Sequence, residues 1–250
     1  MQADLKTFAA HGVHGTSAVT AVTAQNTVEV RGVVALDPGF VRLQIATVLD
    51  DLAVGSVKTG MLATRAIVEV VADLAAAGRL PNLVVDPVLV SSSGHALMDE
   101  GGVEAYRHAL LPHALVVTPN LREAAVLTGT DVAELTSIAA MSDAAQRIRE
   151  GGARFVVVKG GHLTDAAHDV VAGPEGITVL EAVRVRTGND HGTGCSLSAA
   201  IAARLAQGSD VLGAIRDGKA FVARGLAGGA PWSLGAGHGP IDHFGWSAAP

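Results

Sequence analysis

The sequence predicts an α/β domain with three layers, α/β/α, built on a mostly parallel central sheet. Three observations carry that prediction. Strand-like β-branched runs alternate with helical spacings along most of the chain. Two runs, at 82–86 and 155–159, are apolar without polar alternation, as in a parallel sheet covered on both faces. No internal repeat and no shift in composition divides the 250 residues, so residues 1–250 are expected to form a single domain with a substantial core.

The elements follow in order. Residues 1–10 read as a helix with Leu5 and Phe8 on one side. Residues 16–22 and 29–36 are β-branched runs and read as strands, with Ala24-Gln25-Asn26-Thr27 between them. Asp37-Pro38 opens a helix that runs to Asp51, because proline is favoured in a first turn. A short strand at 56–59 passes through Gly60-Met61-Leu62-Ala63 into a helix over 65–77. After the buried run at 82–86 come a helix over 103–111, a strand at 114–118 and a helix over 121–128. A helix over 142–151 precedes the second buried run. Residues 169–172 and 178–185 resemble a hairpin or edge strands around Gly173-Pro174-Glu175-Gly176. Two apolar helices follow, over 194–207 and 211–226. The stretch Gly235-Ala236-Gly237-His238-Gly239-Pro240 is a loop that finishes the last layer or packs near the site.

Composition excludes several classes of function. The chain is 49% hydrophobic and 17% charged, which is globular. Aromatics make up 3%, so the core is built from Val, Leu, Ile and Ala. A net charge of -6 offers no general field for nucleic acid. One cysteine excludes an internal disulfide framework and a multi-cysteine metal site, and it agrees with a reducing compartment. His11 and His14 have a ligand-like spacing, but no third ligand is evident nearby. No basic start followed by an apolar core opens the chain, and no apolar run reaches the roughly 18 residues of a membrane span. The expectation is a cytoplasmic protein acting on small molecules, with neither nucleic acid nor membrane as partner.

The chemistry gathers at strand ends, where open parallel sheets bind ligands. His191-Gly192-Thr193-Gly194-Cys195 is a glycine-rich turn opening into a helix. Its first N–H groups have no partner inside the helix, and the dipole there favours an anion. The turn reads either as a cradle for phosphate or as a tight junction around a small buried cysteine. As a cradle it would lower the Cys195 thiol pKa, so that thiolate is accessible near neutral pH. Lys159 ends an apolar strand before Gly160-Gly161-His162, as a phosphate contact or a solvated strand-end lysine. Asn120 and Glu123, three apart at a helix start, read as oxygen ligands for a nucleotide's Mg²⁺ or as a helix cap with its first-turn acid. Gln25 reads a heterocycle edge or is a turn residue, and Met61 packs on a flat ring or in the core. Asp86-Pro87-Val88 follows another strand. No G-x-x-x-x-G-K-[ST] phosphate loop is present.

Six short blocks occur in a characteristic order: Gln2-Ala3-Asp4-Leu5-Lys6-Thr7-Phe8, Ala24-Gln25-Asn26-Thr27, Lys58-Thr59-Gly60-Met61-Leu62, Thr118-Pro119-Asn120-Leu121-Arg122-Glu123-Ala124, Lys159-Gly160-Gly161-His162 and His191-Gly192-Thr193-Gly194-Cys195. Together with the closing Gly239-Pro240-Ile241-Asp242-His243-Phe244, this set resembles the bacterial hydroxymethylpyrimidine/phosphomethylpyrimidine kinases of thiamine biosynthesis, within the ribokinase-like superfamily. The resemblance implies ATP- and Mg²⁺-dependent phosphorylation of 4-amino-5-hydroxymethyl-2-methylpyrimidine and then of its monophosphate, by a homodimer. It implies that Gln25, Met61, Val88 and Asp4 meet the pyrimidine. Asn120 and Glu123 would lie near Mg²⁺ and phosphate, with Lys159 on the ATP phosphates. Gly192, Thr193 and Gly194 would supply the anion hole, with Cys195 as proton acceptor where many superfamily members carry Asp.

The resemblance departs at the N-terminus. Members of the family carry a strand and a Gly/Ser-rich loop before the segment matching Gln2 to Phe8, and this chain opens at Met1. A core strand and one wall of the substrate pocket are therefore expected to be missing, which exposes sheet edge and apolar surface. Two alternatives stand beside the main reading. One is a kinase of the same fold acting on pyridoxine-like alcohols. The other is a non-catalytic pyrimidine-binding paralogue.

Overall fold

The computed structural model describes residues 1–89, 98–161 and 167–248. Helix α1 (Gln2–Ala10) leads through an extended segment to strands β1 (Ala21–Gln25) and β2 (Val30–Ala35) and helix α2 (Pro38–Asp51). Then come β3 (Lys58–Thr59), α3 (Arg65–Ala76), β4 (Val84–Val85), the single turn α4 (Gly102–Ala105), β5 (Val116–Val117), α5 (Leu121–Thr128) and α6 (Ile138–Glu150). The chain closes with β6 (Phe155–Lys159), β7 (Asp169–Gly173), β8 (Gly176–Leu180), α7 (Thr193–Ala206) and α8 (Val211–Gly229).

Strands β3 to β8 form one six-stranded sheet in sequence order. The pairings from β3 to β6 are parallel, and those from β6 to β8 are antiparallel. Side chains alternate across a strand, and the core divides accordingly. Val85, Val117, Val156, Val158, Val170 and Ala172 face α2, α3, α5 and α6. Val84, Val116, Val157 and Val171 face α7 and α8. The sheet is therefore covered on both faces, in the three expected layers. Its alternation also positions the chemistry. Lys58 pairs with Val84, while Asp86, Thr118 and Lys159 stand two residues beyond Val84, Val116 and Val157. All four share the α7 face at the carboxyl ends of the strands.

Small residues let the layers approach closely. Helix α7 is buried on every side from Ser196 to Ala203. A Cβ at Gly218 of α8 would lie 3.2 Å from Ile201 and 3.3 Å from Leu197. A core poor in aromatics is what this packing requires.

Several boundaries differ from the sequence expectation. The first strand starts at Ala21 rather than 16, because the preceding segment pairs with side chains instead of a strand. Gln44 accepts from Val19 N at 2.9 Å and donates to Val19 O at 2.9 Å, and Thr20 Oγ1 donates to Met61 O. The helix expected over 142–151 begins at Ile138, where Ser137 caps it through Ala140 N. The helix expected over 103–111 breaks into α4, a wide turn at Tyr106–Leu110 and a tight turn at Leu111–His113, since Pro112 supplies no N–H. The hairpin at Gly173 to Gly176 is present, but of its two strands β7 is internal and buried throughout and β8 alone lies at an edge of the sheet. That edge ends at Leu180, short of 185, and Val183 is 91% exposed.

The closing loop packs near the site. His238 N donates to Thr27 O at 3.1 Å and Gly237 N to Thr27 Oγ1 at 3.2 Å. His191 N donates to Gly239 O at 2.9 Å. One loop thus joins the β1–β2 turn to the turn before α7. His11 packs against Phe221 with ring centroids 4.7 Å apart and planes tilted by 53°.

Gly160 sits where β6 and β7 part. Its N–H donates to Asp169 Oδ1 at 3.0 Å, and a Cβ there would meet the His168 carbonyl oxygen at 2.0 Å. Gly160→Ala is expected to destabilise the fold by about 1–3 kcal/mol, read as a lower midpoint in thermal unfolding.

Candidate active site

A cavity of about 1680 Å³ opens at the carboxyl ends of β3 to β6. Every site residue expected from the sequence lines it. Asp4, Gln25, Met61 and Val88 contribute one part of the wall. Asn120, Glu123 and Lys159 contribute another, and Gly192, Thr193, Gly194 and Cys195 close the third. Of the stretches singled out, His162 lies outside the described residues. The cavity also runs along β3, past Val57 and Thr59, to Ile45 and Leu49 of α2.

Asp86 is the hub, and sequence reasoning gave it no role. Its carboxylate is 2% exposed. One oxygen takes Lys159 Nζ at 3.1 Å and Thr118 Oγ1 at 3.3 Å. The other takes Ser198 Oγ at 3.3 Å and faces Lys58 Nζ at 4.0 Å. Burial opposes its ionisation, but Lys159 and Lys58 outweigh burial and hold it below the usual carboxylate range. A charge closing an apolar strand was the available signal, because a buried carboxylate requires partners.

Lys159 is held at the junction of β5 and β6, where its N–H donates to Pro119 O at 2.9 Å. Its ammonium lies 4.0 Å from Glu123 and 2.9 Å from where a Cβ on Gly194 would stand. Burial disfavours its charge, while Asp86 and Glu123 raise its pKa and keep it ionised. The absence of a side chain at Gly194 lets this cation reach the α7 turn.

Asn120 and Glu123 form a reciprocal capping box on α5. Asn120 Oδ1 accepts from Glu123 N at 2.9 Å, and Glu123 Oε2 accepts from Asn120 N at 2.8 Å. The cap is therefore real, and it also places a carboxylate in the cavity. Burial first, and then Asp86, push the Glu123 pKa up to about 7 against the pull of Lys159. With one carboxylate oxygen committed to the cap and Asp86 committed to lysines, this donor set fits a cation carried by phosphate through water rather than a direct protein cage. Among the described residues, no cluster of three or more His, Cys, Asp or Glu is arranged to hold a metal.

Gly192 caps α7 with φ +83°, a left-handed conformation that glycine adopts freely. No side chain caps this helix. The N–H groups of Gly194 and Cys195 thus have no partner inside the helix and are available to an anion. The expected thiolate is corrected here. Burial pushes the Cys195 thiol up to about 11, with Asp86 and Asp4 adding to the rise, and Lys58 only partly offsets it. Desolvation outweighs the helix dipole, so the free thiol is neutral at pH 7.

Other elements frame the cavity. Lys219 of α8 binds Asp169 at 2.6 Å and Ala167 O at 2.7 Å, behind Gly160 and Gly161. Gln25 ends β1 and is exposed at the cavity mouth.

The sequence model for phosphomethylpyrimidine kinase matches residues 1–242. A hydroxymethylpyrimidine/phosphomethylpyrimidine kinase of Rhizobium meliloti is 45% identical over 246 residues, 98% of this chain and 91% of that protein. This chain belongs to the phosphomethylpyrimidine kinase family. A crystal structure of a phosphomethylpyrimidine kinase from Clostridium difficile matches with a TM-score of 0.76 at 34% identity, covering 89% of this chain and 90% of that one. An ADP complex of Bacillus subtilis pyridoxal kinase matches with a TM-score of 0.88 at 36% identity, covering 100% and 93%. The fold is accordingly ribokinase-like.

Two outcomes follow for this phosphomethylpyrimidine kinase family member. Only thiolate is alkylated, so iodoacetamide labelling of Cys195 is expected to be slow at pH 7 and to rise about tenfold per pH unit until it levels near about 11. A pH titration of labelling rate by mass spectrometry measures it. Gly194→Ala is expected to displace the Lys159 ammonium and lower kcat by about 10²-fold, with the unfolding midpoint little changed.

Proposed function

We propose that this chain transfers the γ-phosphoryl group of ATP to the hydroxymethyl group of 4-amino-5-hydroxymethyl-2-methylpyrimidine, and then to the resulting monophosphate, giving the diphosphate used for thiamine. The observation that carries this reading is the meeting of Gln25, Met61 and Val88 with Lys159 and the Gly192–Cys195 turn in one cavity. A ring site and a phosphate site share a wall there.

The roles follow from the positions. Gln25 reads the ring edge through its amide, Met61 and Val88 pack on the ring faces, and Asp4 accepts a hydrogen bond from it. Gly194 N and Cys195 N, with Lys159, stabilise charge on the transferring phosphoryl group. Asn120 and Glu123 would hold Mg²⁺ through water and phosphate, where it would supply charge neutralisation at the phosphate oxygens. The acceptor hydroxyl oxygen bonds to the γ-phosphorus, the bond to the β-phosphate oxygen breaks, and ADP leaves. Cys195 takes the hydroxyl proton in the small fraction of molecules in which it is ionised.

The chain acts as one domain and as a homodimer. Val22 and Val34 pair on the face of the β1–β2 hairpin, and Phe40 and Leu43 project from α2; these four are 53–66% exposed. Such a cluster suits burial against a second copy. Among the described residues, no helix is long and apolar enough to cross a membrane, and ATP supply places the reaction in the cytoplasm.

A second reading is favoured by the 0.88 TM-score to a pyridoxal kinase. Its acceptor would be a pyridoxal-type alcohol, which shares a ring bearing a hydroxymethyl arm. Parallel assays of ADP release with both alcohols separate the two readings; turnover of the pyrimidine alone is the expected result.

The two phosphorylations differ in their need for a base. A monophosphate is already ionised at pH 7, with a second pKa of about 6, and has no proton to lose. Cys195→Ala is therefore expected to lower turnover of the hydroxymethylpyrimidine by about 10²–10⁴-fold, with the fold intact and the monophosphate step much less affected. Coupled ADP-release assays with each acceptor measure the split, and equal small effects on both would remove Cys195 as proton acceptor.

A further inference from the structure

The start of α7 is held in place without the usual means. A helix start is ordinarily tied down by a side chain at its N-cap. Here that position is Gly192, and no side chain caps the helix. The open N–H groups of Gly194 and Cys195 are what the turn offers an anion. A helix end left open in this way frays unless something outside the helix holds it.

Two fully buried serines, Ser196 and Ser198, supply that hold. Residues two apart point to different sides of a helix, about 200° around its axis at 3.6 residues per turn. Ser198 reaches the sheet, with its Oγ 3.3 Å from Asp86 Oδ2. Ser196 reaches the closing segment, with its Oγ 2.9 Å from His243 Nε2. The hydroxyl either donates to the ring nitrogen or accepts from it, so both neutral forms of the imidazole make this bond. His243 is itself buried and firmly based. The neighbouring Asp242 N donates to Gly225 O of α8 at 2.9 Å. The Asp242 carboxylate accepts from Phe244 N and Trp246 N at 3.1 Å and from Ser247 N at 3.0 Å. A Cβ at Gly225 would stand 3.1 Å from the Asp242 carbonyl oxygen, so the segment lies directly on α8.

We propose that His243 is a positioning residue: through Ser196 it holds the first turn of α7, and with it the N–H groups of Gly194 and Cys195, where they meet the transferring phosphoryl group. Ser196 follows Cys195 directly in the chain, and its N–H closes the first turn onto Gly192 O at 2.8 Å. A bond to its hydroxyl therefore acts on the turn itself. The grips at Ser196 and Ser198 together fix the rotation of the helix start, which neither does alone. Rotation matters because such donors stabilise a transition state only where they are already aimed at it. The catalytic consequence rests on the phosphoryl-transfer reading given above; the hold on the helix start does not.

Coupled ADP-release assays at saturating ATP give kcat and KM for the hydroxymethylpyrimidine in the full chain, Ser196→Ala, His243→Leu, His243→Gln and the double variant Ser196→Ala/His243→Leu, with circular dichroism as a fold check. Ser196→Ala and His243→Leu are each expected to lower kcat by about 10²-fold, with KM for the pyrimidine changed by less than about threefold. The double variant should be no slower than the slower single, because both changes remove the same bond. His243→Gln should recover most of kcat, since its amide nitrogen can reach the Ser196 hydroxyl. A packing role alone would give losses that multiply in the double variant and no recovery with Gln. Undiminished kcat in either single variant, multiplied losses, or no recovery overturns the proposal. If His243→Leu does not fold, a slowed Ser196→Ala with a near-unchanged His243→Gln supports it, and any other pair overturns it. Amide hydrogen exchange in the unliganded chain reads the hold without substrate. In Ser196→Ala the amides of Leu197 to Ala200 should exchange about tenfold faster, while those of α8 keep their rates. Unchanged exchange, or a rise shared equally by α8, overturns the proposal. If the full chain turns over neither the pyrimidine nor a pyridoxal-type alcohol, the kinase reading fails and the exchange rates alone decide the hold.

Discussion

A carboxylate buried at the end of β4, next to the edge strand, organises this molecule. Asp86 has almost no contact with water, so its charge requires partners inside the protein. It takes them from three directions: Lys159 across the sheet, Ser198 from the helix above, and Lys58 from the edge strand. Each partner is thereby fixed near the cavity. Lys159 is held beside the α7 turn, α7 is keyed to the sheet by Ser198, and Lys58 is held on the α7 face of the edge strand. Removal of Asp86 would leave two buried cations sharing the cavity wall, Lys58 with Asp4 alone and Lys159 with Glu123 at 4.0 Å, which makes the carboxylate a structural precondition of the site as well as its electrostatic centre.

The small residues of the core serve the same arrangement. Gly192 permits the left-handed step that starts α7, and Gly194 leaves the space that the Lys159 ammonium approaches. Alanines through α7 allow it to lie deep between the sheet and α8. The helix start is consequently held inside the protein, where its N–H groups are worth more to an anion than they would be in water.

The fold was legible wherever local patterning decides structure. Unbroken apolar runs marked the two-faced sheet, and Asp37-Pro38 and Asn120-x-x-Glu123 marked helix starts that the structure confirms. Boundaries went astray where distant side chains intervene, as with Gln44 holding the segment before β1. For the site, the residues expected to meet the pyrimidine, the phosphates and Mg²⁺ line the cavity, because strand ends and glycine turns are local signals. Three things were not legible. Lys58 stood in a quoted motif, but its direction depends on the pairing of β3 with β4. Asp86 acquires meaning only from residues far away in sequence. The protonation of Cys195 depends on burial, which the turn's own sequence does not contain, and burial reversed the shift that the helix dipole implies.

The closing loop carries one more consequence. It grips Thr27 at the tip of the β1–β2 hairpin and, two residues further on, holds His191 N just before the glycine turn. The tip cannot swing away without breaking the bonds to Gly237 and His238 or carrying Gly239 with it. The loop is thus a tether shared by the ring end and the phosphate end of the cavity. Movement at the mouth beside Gln25 and order in the cradle beside Cys195 are mechanically linked, although the two residues belong to opposite ends of the chain.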